Sequence, residues 1–216
     1  MGGTDPCAKT DELRWRPFAL AAVLALVAAG LLVQVLPGAG LDREPRIRAV
    51  RAKADAFVSE AAPRANFGHA RTLRVDASPT VRTYIRFNFD LSSVQVRHVS
   101  LLLYSRTRSR AGYQVRIAEG RWKERQINFV NAPRPLPRFV GSGPLRAQSW
   151  KAVDVTSLVA GLLSSVNLVL MTTSANDTRF ASRETGLHGP RLVVETIPTE
   201  TTTSTRTVAP PPPPGG

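Results

Sequence analysis

Cysteine is almost absent. Cys7 is the only one in 216 residues, so no intramolecular disulfide and no cysteine-based zinc site can form. A packed core alone must hold the fold, which a chain of this length allows. Histidine is nearly as scarce, and His69, His98 and His188 lie far apart without metal-ligand spacing. No glycine-rich phosphate loop follows a strand-like run, which disfavours nucleotide binding, and there is no G-x-S-x-G elbow. Lysine is missing from most of the chain: between residues 41 and 197 only Lys53, Lys123 and Lys151 occur. Acids are few as well, with 16 Asp+Glu against 29 Lys+Arg.

That imbalance has an address. Residues 1–17 and 198–216 are each neutral, so the net charge of +13 belongs to the stretch between, and nearly all of it is arginine. A GC-rich coding sequence would also enrich arginine, but it leaves the charge in place. A basic domain suggests an acidic partner: nucleic acid, anionic lipid headgroups or an acidic polysaccharide.

Four segments precede or follow the body of the chain. Residues 1–17 are a polar leader. Phe18–Leu36 is nineteen residues without a charge, close to the roughly 20 that span a bilayer and longer than the usual signal-peptide core. It reads as a transmembrane signal-anchor, with a cleaved signal peptide as the alternative. Residues 37–53 form a basic linker. Residues 198–216, Thr-rich and ending in five prolines and two glycines, have too little to bury and are expected to be disordered. Basic residues flanking the apolar run count toward a cytoplasmic domain. The Thr/Pro tail counts toward the outside, and the outside is the placement expected here.

Residues 54–197 change texture to short β-branched and aromatic runs between turn residues. Strands are predicted at 56–59, 72–75, 81–89, 95–104, 113–118, 126–129, 150–155, 166–171, 179–182 and 191–196. A helical turn is expected near 155–163, with Thr156 as its cap. Val81–Phe89 is the clearest strand, with Ile85, Phe87 and Phe89 on one face and Arg82, Tyr84, Arg86 and Asn88 on the other. The predicted inward set, Phe57 to Val194, comes from both halves, which implies one core. The fold class expected is all-β, a sandwich or barrel.

Catalytic constellations are hard to assemble. Glu60, Glu124, Asp154 and Glu184 sit at strand or loop edges, and nothing in the sequence brings two to the roughly 5 Å of a retaining glycosidase pair. Capping and salt bridging with the arginines is the reading adopted for them. A binding surface is left. Carbohydrate modules stack sugars on aromatics and hold carboxylates with arginine forks. Tyr84, Tyr104, Tyr113, Trp122 and Trp150 are the available rings, and only Tyr84 is flanked on its own strand face by arginines.

Four pieces then resemble the DNRLRE-type domain family, related to alginate-binding carbohydrate modules. They are Ala54–Val58 followed by Asn66-Phe67-Gly68; Arg82–Phe87; Trp122-Lys123-Glu124 with Ile127–Pro133; and Trp150–Leu158 with Phe180–Glu184 and Pro190–Val194. The resemblance implies a jelly-roll-like β-sandwich, export, and polysaccharide binding without catalysis. Asn88 stands where the pattern expects an aspartate, so a structural calcium, though possible, is not indicated by the sequence.

The expected protein is therefore a non-catalytic binder of acidic polysaccharide or cell-wall glycan. It would sit on the extracellular side of the membrane through residues 18–36, or be secreted if the signal is cleaved. The expected ligand-binding residues are Arg82, Tyr84 and Arg86, with Arg97, Arg116 and Trp122 as neighbours. No cofactor, metal or nucleic-acid partner is expected. The alternatives are an envelope adhesion or assembly module with a protein partner, and a small hydrolase.

Overall fold

A computed structural model describes residues 45–92, 94–162 and 164–198. The leader, the apolar run 18–36 and the tail from 199 lie outside them. Among the described residues no helix is long and apolar enough to cross a membrane.

The strands, in chain order, are β1 (Arg46–Arg51), β2 (Ala54–Ser59), β3 (Thr72–Ala77), β4 (Thr80–Asn88), β5 (Val94–Ser105), β6 (Gln114–Ala118), β7 (Pro135–Gly141), β8 (Ser149–Asp154), β9 (Ser165–Met171), β10 (Thr178–Ala181) and β11 (Arg191–Pro198). Every pairing is antiparallel. One sheet runs β1-β11-β5-β8, and the other runs β2-β4-β9-β6-β7. β10 pairs with β3 and touches β5, while β3 turns directly into β4, so this corner joins the two sheets. The result is an all-β, sandwich-like fold.

Period-two alternation positions the core. Leu73 and Val75, Ile85 and Phe87, Val99, Leu101 and Leu103, Leu168 and Leu170, Phe180, Leu192 and Val194 fill one cluster between the sheets. With Val115, Val153 and Val155 in the same cluster and Ile117 partly buried against it, they account for the expected inward set. Phe57 is the exception: it stacks on Phe67 at 4.2 Å, outside that cluster.

Four local expectations are corrected. Arg46–Arg51, assigned to a basic linker, is a strand paired along its length with β11; its exposed arginines suit a sheet edge, where charge discourages further pairing. β7 went unpredicted because Pro135 and Pro137 interrupt it. It too is an edge strand, bonded to β6 alone, the place where a sheet tolerates proline. The predicted strand 126–129 is a loop. The expected helical turn is present as Thr156–Val159, but Thr156 does not cap it. The Thr156 hydroxyl accepts from the Val99 amide at 2.9 Å and donates to Asp154 at 2.6 Å, tying the turn to β5 and β8.

A second, smaller cluster lies on the far side of the β2-β4-β9-β6 sheet. Ala54, Ala56, Val58, Tyr84, Ala118 and Val169 point away from the main core and are covered by Trp122 and Ile127. Residues 119–134, without a strand of their own, form this lid.

Candidate functional site

The lid is fixed by polar contacts that draw the family-like sequence pieces together. The Asn66 side-chain amide donates to the carbonyls of Glu124 and Ile127 at 2.8 and 2.7 Å. Gly68 packs so closely that a Cβ there would overlap the Glu124 carbonyl. Arg183 grips Glu124 with two bonds, Nε to Oε1 and a terminal nitrogen to Oε2, each 2.8 Å, and its Nε also lies 3.2 Å from Glu184. The Asp55 amide donates to Glu124 Oε1 at 2.8 Å, and Asp55 Oδ2 accepts from the Arg183 amide at 2.7 Å.

Asp55, Glu124 and Glu184 bring carboxylate oxygens within 4.8 Å of one another. This is a donor set of the kind a hard cation takes, but the Arg183 guanidinium already supplies positive charge within it. The reading of Glu124 and Glu184 as salt-bridge partners of the arginines therefore holds. Asp55 is 1% exposed and its Oδ1 has no partner. Burial raises its carboxyl to about 8, the Arg183 amide opposing and the neighbouring Glu184 and Glu124 reinforcing.

Beside this junction the lid stands off the sheet and leaves a cleft of about 640 Å³. Its floor is the end of β4 and β9: Arg86, Asn88, Ser165 and Asn167. Its wall is the lid: Arg121, Trp122, Lys123, Gln126, Ile127 and Asn131. Three cations and four side-chain amides line it, and no carboxylate does. Asn167 organises the floor. Its Oδ1 accepts from Arg86 Nε at 3.0 Å and from Trp122 Nε1 at 3.1 Å, while its amide nitrogen donates to the Gly120 carbonyl at 3.0 Å. Arg86 lies over the Trp122 ring at 4.7 Å and donates to the Trp122 carbonyl. Burial lowers the Arg86 guanidinium from its ordinary value, with Glu124 acting in the opposite sense. Such an arrangement can hold an anion beside hydroxyl-rich surface: forked guanidinium for a carboxylate, amides for hydroxyls.

The expected ligand residues fall in different places. Arg86 and Trp122 meet in the cleft. Tyr84 is wholly buried under the lid, its hydroxyl donating to the Pro133 carbonyl at 2.8 Å and its ring edge-on to Trp122. It offers no open face to a sugar. Arg82 lies over Phe129 at 5.3 Å, and Arg116 donates to the carbonyls of Leu136 and Pro137 and lies over Phe139 at 4.7 Å. Both belong to the same sheet face as Tyr84 but line no part of the cleft. Arg97 is on β5, in the other sheet, 3.5 Å from Glu195. Arg121, Ser165 and Asn167 were not singled out in the sequence; Gln126 drew notice only as the start of a predicted strand, and Lys123 and Asn131 only as members of a family-like piece.

The family model for carbohydrate-binding module family 96 matches residues 47–196, from the first strand to the last. A comparison with curated proteins finds no match. With the lid, the cleft and all but the outermost ends of β1 and β11 inside the matched span, the chain belongs to carbohydrate-binding module family 96.

Proposed function

We propose that this module binds an acidic polysaccharide, of the uronate class found in alginate, non-catalytically in the cleft between the lid and the β4–β9 strand ends. One observation carries the reading: Arg86, Arg121 and Lys123 converge there with four amides and no opposing carboxylate. A uronate chain presents a carboxylate and hydroxyls on every ring, which matches that lining in charge and in hydrogen-bond type. Arg86 and Trp122 form the rigid part of the site, and Arg121 and Lys123 the exposed part. The apolar run 18–36 and the Thr/Pro-rich tail support display of the module on the outer face of the cell membrane.

Arg121 and Lys123 are exposed, so their removal tests binding without disturbing the core. The variant Arg121→Ala/Lys123→Ala is expected to keep its melting temperature and to bind an alginate matrix about tenfold more weakly, some 1.4 kcal/mol. A charge-matched control, Arg108→Ala/Arg110→Ala, removes two exposed arginines elsewhere and should retain binding at moderate salt, where distant charges are screened. Equal loss in both variants would reduce the effect to net charge and sink the assignment of the cleft.

A further inference from the structure

The opposite sheet carries the other concentration of rings. Tyr104 on β5 and Trp150 on β8 are direct cross-strand partners. Both point outward, since their neighbours Leu103 and Ser105 are buried. Tyr104 meets Trp150 edge-on at 5.5 Å. His188, from the turn before β11, lies 4.2 Å from Tyr104 and 6.1 Å from Trp150, tilted 27° to the indole. The Arg191 guanidinium sits 5.2 Å over the Trp150 ring and donates to the Leu187 carbonyl. Trp150 nevertheless stays 40% exposed. An outward tryptophan packed among further rings on a sheet face is a departure from ordinary surface composition.

A second observation comes from the backbone. Gln148 has φ +53°, the only non-glycine residue in the left-handed region among those described. Strain of this kind persists where the surroundings hold it, and it gathers at functional positions. Here it sets the Gln148 side chain beside Tyr104, whose hydroxyl donates to Gln148 Oε1 at 3.3 Å. Tyr104, Arg106, Gln148, Ala181 and His188 enclose a hollow of about 180 Å³, far smaller than the cleft. No carboxylate lines it.

We propose that Tyr104, Trp150 and His188, with the Gln148 amide, form a second sugar-binding site for an uncharged pyranose ring, on the sheet opposite the cleft. The C–H face of a pyranose carries the partial positive charge that the face of an aromatic ring attracts, and the amide both donates to and accepts from ring hydroxyls. The cations nearby also make contacts within the protein, Arg191 with Trp150 and the Leu187 carbonyl, Arg106 with the Arg71 carbonyl at 3.3 Å. Of the two only Arg106 lines the hollow, against three cations in the cleft, so ring stacking and the amide define this site more than a carboxylate fork does. The inference rests on the carbohydrate-binding family membership and is independent of the acidic ligand assigned to the cleft. Two sites on opposite faces would let one module join two glycan chains, or gain avidity on one surface.

The test titrates full-length protein with cellohexaose, mannohexaose and xylohexaose, and in parallel with a guluronate hexamer. At least one neutral hexasaccharide should bind the wild type, and Trp150→Ala should weaken it tenfold or more while leaving the guluronate affinity unchanged. Arg121→Ala/Lys123→Ala should do the reverse; should it spare guluronate, the acidic ligand fails and the second site stands. Glycine is at ease at φ +53°, so Gln148→Gly should match or exceed the wild-type melting temperature while weakening the neutral sugar. Absence of binding by all three neutral sugars would overturn the proposal. So would a Trp150→Ala variant that binds them as before, or one that alters only self-association.

Discussion

Asp55 is the residue at which a pH response is expected between pH 4 and 8. Its carboxyl, 1% exposed and beside two glutamates, sits at about 8 in the fold against an ordinary value near 3.8. A raised carboxyl means that the folded state keeps a proton which the unfolded chain has released above about pH 4. Stability from this group is therefore full at low pH, falls as pH rises from about 4 to 8, and levels off above that. The slope is at most about 1.4 kcal/mol per pH unit. Asp55→Asn copies the neutral acid and keeps an oxygen for the Arg183 amide. Urea midpoints between pH 5 and 9 should decline for the wild type and stay level for the variant. A variant declining in parallel with the wild type would place the titration elsewhere. Nothing in the sequence around Asp55 announces this. The alternation Asp55-Phe57-Ser59 reads as an ordinary mixed face, and only the approach of Glu124, 69 residues along the chain, and of Glu184, makes the position unusual.

At the scale of elements, the lid is the part of the site that sequence periodicity could not reach. β4 was readable because its apolar residues recur every second position, and Ile85 and Phe87 are buried as that pattern requires. Its other face looks solvated by the same rule, yet Tyr84 is fully buried because a segment 35 to 50 residues downstream folds back over it. Alternation describes a strand and its own two faces. It says nothing of a loop arriving from elsewhere. β1 and β7 were missed for a related reason: edge strands carry arginine and proline that central strands exclude. The family-like pieces were informative in a different way, since Asn66, Gly68, Glu124 and Arg183 all act on the lid. They mark the clamp, while half of the residues that line the cleft beside it lie outside those pieces. Gly68→Ala tests the clamp. Overlap with the Glu124 carbonyl should cost about 1–3 kcal/mol and weaken alginate binding, with the far-UV spectrum still that of a β protein. A variant as stable and as retentive as the wild type would show that the lid does not depend on this contact.

For the whole molecule, the charge of +13 was legible as an amount but not as a distribution. Several arginines are engaged inside the protein: Arg183 with Glu124, Arg74 and Arg179 with Asp177, Arg116 with β7 carbonyls. Those that line the cleft are a minority, which is why counting arginines on one strand pointed to residues that mostly serve the fold. Placement of the module outside the cell has its own test. Protease added to intact cells should trim the Thr/Pro-rich tail, detected as a mass shift of the protein, and full protection would reverse the assignment.

One arrangement at the edge of the first sheet sets how the domain meets a load. β1 and β11 are antiparallel neighbours, and Arg46, where β1 begins, lies opposite Thr196, near the end of β11. Anything attached before Arg46 and anything attached after Pro198 thus departs from the same end of the sheet. Tension between those two attachments pulls across the ladder rather than along it, so its rungs bear force in succession, beginning at the Arg46–Thr196 pair. Tension between Arg46 and a glycan in the cleft takes another route. It runs along β1, with the β1–β11 ladder loaded in shear beside it, to the Lys53 amide, which donates to the Arg86 carbonyl at 2.8 Å at the floor of the cleft.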